Sequence, residues 1–79
     1  MTKKLKAIAG ARTILEDALR AHEAGELAAA EAGYAMVIEA GYRLADVLPI
    51  LAGMLGRRGA DDEALALWGR LLAIDPAHD

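Results

Sequence analysis

The sequence predicts an all-α fold of antiparallel helix–turn–helix repeats, about four helices with a long first helix. Three observations carry that expectation. The 79 residues include 19 alanines, hydrophobic residues make up 56% of the chain, and Phe, Cys, Ser, Asn and Gln are all absent. Ala, Leu, Glu and Arg head the helix-propensity scale, whereas the aromatic residues that favour strands amount to only 4%. Apolar residues recur every three or four positions, and glycine interrupts the pattern at regular intervals.

The first segment, about Thr2 to Ala24, has Leu5, Ile8, Arg12, Leu15 and Leu19 at helical spacing and stops at Gly25. Gly10 either kinks this helix or closes off a loosely attached arm of residues 1–10. The second, about Leu27 to Ala40, turns Leu27, Ala30, Tyr34, Val37 and Ile38 inward and stops at Gly41. The third is expected to start near Asp46, whose carboxylate suits the free amides of a first turn, with Pro49 just inside. It continues through Leu48, Leu51, Ala52 and Leu55 to "GRRG", where Arg57 and Arg58 complement the negative end of the helix dipole. The fourth opens on "DDE", three carboxylates at a positive helix end, and runs to Ile74 before Asp75 and Pro76 stop it. Its apolar residues fall on two faces, Ala64, Leu67 and Leu71 on one and Leu65, Trp68 and Leu72 on the other. Two apolar faces imply two neighbours.

Residues of like kind recur 34 positions apart: Gly25 and Gly59, Ala30 and Ala64, Tyr34 and Trp68, Val37 and Leu71, Ile38 and Leu72. A helix–turn–helix period of this length resembles the tetratricopeptide repeat (TPR) family. The family's pattern falls on Leu48, Leu51, Ala52, Leu55, Ala64, Trp68 and Pro76 in residues 45–79. In residues 11–44 it falls on Ile14, Asp17, Ala18, Ala21, Ala30, Tyr34 and Tyr42. Asp17 and Ala21 depart from it, a carboxylate standing where leucine is usual and a methyl where an aromatic is usual. The resemblance implies a TPR-like α-solenoid fragment of two units, 11–44 and 45–79, preceded by the extension 1–10.

Other classes find little support. Without cysteine there is no disulfide, thiol nucleophile or thiolate ligand, and a core this small must rest on packing. A net charge of −3 with scattered basic residues argues against nucleic acid. The apolar run after Lys3, Lys4 and Lys6 is too short for a signal peptide, and "VLPILAGML" falls well short of the roughly 20 residues of a membrane span, so a cytoplasmic protein is expected. His22 and Glu23 are neighbours about 100 degrees apart on a helix and cannot chelate together, so His22 is expected to be solvated, as is His78 in a frayed tail. "GMLGRRG" lacks the lysine and hydroxyl residue of a phosphate loop, so Gly53 and Gly56 are read as allowing another helix to approach and Gly59 as a turn. No catalytic residue, cofactor or metal is expected, and no enzyme.

What remains is binding surface. The resemblance implies a concave groove lined by Arg12, Leu15, Leu19 and His22 beside Asp46, Pro49, Gly53 and Arg57. It lacks the asparagine and lysine that grip peptide carboxylates in the family, and so suits an amphipathic helix or another protomer. Leu65, Trp68 and Leu72 form an oligomer or next-repeat face. Stacks of this kind normally need about three repeats, so two units imply either a piece of a longer array or copies that associate. The expected function is a non-catalytic protein–protein interaction module that self-associates. The alternatives are structural or designed homo-oligomerisation and a fragment of a longer TPR-containing enzyme.

Overall fold

A computed structural model describes residues 2–75 of the chain, with side chains from residue 10 onward. The positions expected for Leu5 and Ile8, and those for Pro76 and His78, lie outside the described side chains. Four helices make up the described residues, α1 (Thr2–Glu23), α2 (Leu27–Glu39), α3 (Leu44–Arg57) and α4 (Asp61–Ile74), and no strand occurs among them. The chain divides into two compact units, Met1–Arg43 and Leu44–Asp79. α1 packs on α2 in the first, and α3 on α4 in the second.

Three helices end in the same way, and glycine is the reason. Gly25, Gly41 and Gly59 take φ of 80, 74 and 85 degrees, a left-handed conformation that a Cβ makes costly. Each reversal lets two amides reach back into the helix just ended. After α1, Gly25 N–H donates to the carbonyl of His22 at 3.1 Å and Glu26 N–H to that of Ala21 at 2.8 Å. After α2, Gly41 donates to Ile38 at 3.0 Å and Tyr42 to Val37 at 3.2 Å; after α3, Gly59 donates to Gly56 at 3.1 Å and Ala60 to Leu55 at 2.8 Å. These are Schellman closures, which satisfy carbonyls that the last turn leaves without a donor.

At the first and third closures one residue serves two helices. Glu26 closes α1 through its N–H and starts α2 through its carbonyl, which accepts from Ala30 N–H at 3.0 Å. Ala60 does the same between α3 and α4, its carbonyl accepting from Ala64 N–H at 3.0 Å. Their backbones nearly coincide, φ −84 and ψ 72 at Glu26 against φ −84 and ψ 62 at Ala60, and neither side chain caps its helix. The 34-residue spacing is thus repeated in backbone geometry as well as in residue type.

The buried side chains of the first unit are Ala11, Leu15 and Ala18 from α1 and Ala30, Tyr34, Val37 and Ile38 from α2. The helices come close at Gly33, where an added Cβ would lie 2.8 Å from the Cβ of Ala18. The second unit buries Val47, Leu48, Leu51, Ala52, Met54 and Leu55 from α3 and Ala64 and Leu71 from α4.

α1 is one helix through Gly10, the long first helix expected, while several other expectations are corrected. Its buried stripe runs through Ala11, Leu15 and Ala18; Arg12 and Leu19 lie outside it and are exposed. Leu27 is also exposed, because a residue at the very start of α2 has no turn of the preceding helix over it. α3 begins at Leu44, two residues before Asp46, because Gly41 and then Arg43, at φ 50, have already reversed the chain. Asp46 therefore lies within the first turn, where its charge still suits the dipole. Pro49 falls inside the helix and denies a donor to the carbonyl of Ala45, an exposed residue that solvent can serve. Nothing lies within 4 Å of a Cβ built at Gly53 or Gly56, so neither glycine marks a close helix approach. Asp17, the carboxylate in a leucine position, is exposed and pairs with Arg20 at 2.7 Å, while the matched Leu51 is buried.

Candidate interaction surface

The fourth helix carries the most distinctive surface. Leu65, Trp68 and Leu72 follow one another at steps of three and four residues, which places them on one side of α4 within an arc of about 60 degrees. They are 67%, 37% and 50% exposed. The stripe about 100 degrees around the same helix, Ala64 and Leu71, is buried, with Leu67 half-buried. α4 therefore has one apolar face used in packing and another that meets solvent.

The matched helix in the first unit does not share this exposure. Tyr34, 34 residues before Trp68, is fully buried, and Ile38, 34 residues before Leu72, is 5% exposed. Glu31 stands where Leu65 does, half-buried and polar. Two helices entered through matching turns, with the same buried alanine and aliphatic positions, thus differ in one row, apolar and open in α4. Exposed apolar rows of this kind are where protein surfaces associate.

Charge frames the row at one end. Asp61, Asp62 and Glu63 occupy the first turn of α4 and are all exposed. Arg70 is exposed farther along the helix.

The residues expected to line a groove are placed as two helical stripes in different units, each described by itself. On α1, Arg12 and Leu19 are exposed and available, but Leu15 is buried in the core of its unit and offers nothing to a partner. His22, expected to be solvated, meets solvent only in part. It is half-buried, its Nδ1 lies 3.0 Å from the hydroxyl of Tyr34, and the two rings meet edge to face with centroids 5.8 Å apart. Its position near the C-terminus of α1 faces the middle of α2, and the buried Tyr34 brings a hydroxyl that needs a partner. On α3, Asp46 and Arg57 are exposed, and Pro49 and Gly53 are half-buried.

Burial, and then the charge of Glu23, raise the Tyr34 hydroxyl above the ordinary tyrosine value. The phenol, protonated at neutral pH as tyrosine ordinarily is, can donate to the His22 ring. Among the described residues no three His, Asp or Glu side chains gather in a way that would hold a metal ion. No helix among them is long and apolar enough to cross a membrane.

Two exposed apolar residues escaped the sequence reading. Met36 is 55% exposed, on the side of α2 away from Ala30, Tyr34 and Val37, and Ile74 lies open at the end of α4. The helical angle from Val37, about 100 degrees per residue, was the available signal for Met36. Compared with family models, with curated proteins and with solved structures, the chain gives no match.

Proposed function

We propose that this protein is a non-catalytic protein–protein interaction module of TPR-like construction, and that it self-associates through the second apolar face of α4. The observation that carries the proposal is the row Leu65, Trp68 and Leu72, exposed where the matched Tyr34 and Ile38 are buried. Burying such a row stabilises a complex by about 25 cal/mol for each Å² of apolar surface removed from water, before the cost of association is subtracted. The repeated 34-residue geometry supports the tandem-repeat reading, since neighbouring repeats in such stacks bury one another's apolar faces.

Light scattering after gel filtration tests the proposal by comparing the wild type with a Leu65→Glu/Leu72→Glu variant. A wild type heavier than one chain, reduced to a single chain of unchanged helicity in the variant, is the expected result. Equal masses for the two would contradict it.

A further inference from the structure

Resting on the reading of the α4 row as the interaction face, we infer that its preferred occupant is an amphipathic helix of a partner protein, whose apolar row is closed by a basic residue at each end. The α4 row is closed by acids. Asp61 stands four residues before Leu65, which places it inside the arc of Leu65, Trp68 and Leu72, and it is exposed. Asp75 stands three residues after Leu72 where α4 ends, its N–H still bonded to the carbonyl of Leu71 at 2.8 Å. The steps from Asp61 through Leu65, Trp68 and Leu72 to Asp75 are four, three, four and three, the spacing by which one helix lies along another.

Charge selects this occupant. Asp62 and Glu63 join Asp61 in the first turn of α4, and none of the three is in an ion pair among the described residues. The nearby cations do not offset them. Arg57 and Arg58, which precede the turn into α4, are two against three. Arg70, the one cation of α4, lies about 160 degrees around the helix from Trp68 and Leu72. Two copies of the row laid together set Asp61 against its own counterpart in a parallel pair and beside Asp75 in an antiparallel one, like charge against like in both. A row closed by Lys or Arg makes the same apolar contact and replaces repulsion with attraction in either direction. A second copy is therefore the weaker occupant, and the basic helix displaces it.

The test uses two alanine-based helical peptides with leucine at the three apolar positions of that spacing, differing only at the two end positions, lysine in one and glutamate in the other. Each is titrated into the dilute full chain and followed by the emission of Trp68, its only tryptophan. The lysine-ended peptide is expected to shift Trp68 to the blue and to bind about tenfold more tightly than the glutamate-ended one, the size of two exposed contacts turned from repulsion to attraction. Raising salt from about 0.05 M to about 0.5 M is expected to narrow that gap. In an Asp61→Asn/Asp75→Asn variant the gap is expected to shrink to about twofold or less, while self-association measured by light scattering tightens; circular dichroism checks that helicity is unchanged. A Leu65→Ala/Leu72→Ala variant is expected to lose both peptides. Equal binding of the two peptides by the wild type, or binding that survives Leu65→Ala/Leu72→Ala, would overturn the inference. So would a wild type that self-associates yet takes up neither peptide, which leaves the self-association standing. A wild type that stays a single chain but binds the lysine-ended peptide would overturn the self-association and leave the inference standing.

Discussion

The Nδ1 of His22 and the hydroxyl of Tyr34 lie 3.0 Å apart, joining the last turn of α1 to the middle of α2. Tyr34 is fully buried and His22 half-buried, so the bond ties a polar group inside the first unit to one that also meets solvent. Replacing Tyr34 with Phe keeps the ring and removes the bond. The expected cost is about 0.5–1.5 kcal/mol of unfolding free energy, toward the lower end because solvent reaches the half-exposed imidazole. Urea denaturation of both proteins measures it.

The same hydroxyl sets a response to alkali. Its value is raised in the folded state, so above the ordinary tyrosine value of 10.0 the folded chain holds this proton more tightly than the unfolded chain. That stabilisation is fully present below the unfolded value and is lost as pH rises through the folded one. Subtracting the stability of Tyr34→Phe from that of the wild type at each pH isolates this group from the lysines and from Tyr42. The difference is expected to be flat at neutral pH and to fall at alkaline pH in the direction that disfavours the wild type. A flat difference to the limit of folding would contradict it.

Glycine substitutions are expected to divide by position. Gly33→Ala places a methyl 2.8 Å from the Cβ of Ala18, which is fixed to a helix backbone and cannot swing away. Overpacking of this kind costs about 1–3 kcal/mol and outweighs the roughly 1 kcal/mol gained in helix propensity. Gly53→Ala meets nothing within 4 Å and is expected to stabilise by about 0.5–1 kcal/mol. Gly25→Ala and Gly59→Ala, at matching left-handed positions, are each expected to cost about 1–2 kcal/mol and to agree with one another more closely than with Gly33→Ala. Thermal unfolding at low protein concentration checks all four.

Neighbouring leucines on α4 are expected to behave oppositely. Leu71 is fully buried and Leu72 is 50% exposed. Leu71→Ala is expected to destabilise the dilute chain by about 2–5 kcal/mol, whereas Leu72→Ala stays within about 0.5 kcal/mol and instead weakens association. Denaturation at low concentration and mass at high concentration separate the two effects.

Element type and most of the buried set were legible in the sequence because helix propensity, apolar spacing and the three glycine closures all agree. The two faces of α4 were legible for the same reason, three apolar residues on each at unambiguous helical steps. What was not legible depended on contacts between helices. Gly33 reads as a helix-weakening residue until α1 is set against it, when its missing side chain leaves the room that Ala18 fills. His22 reads as a solvated residue near a helix end because its partner, Tyr34, is 12 positions away and on another helix. Leu15 fits an exposed stripe by spacing alone, yet it lies on the same side as Ala11 and Ala18, whose small size the sequence offers no reason to prefer as core. The start of α3 was placed two residues late because Asp46 carries a capping signal, while Arg43 takes a left-handed backbone that its residue type does not announce.

The most direct test of the α4 face is the molar mass of the wild-type chain, with the emission maximum of Trp68, over a roughly hundredfold range of concentration. At 37% exposure in the single chain, Trp68 starts partly in water and has room to become buried. A mass rising above one chain together with a blue shift at the same concentrations is the predicted result. A single-chain mass with an unmoving emission maximum across the range would contradict it.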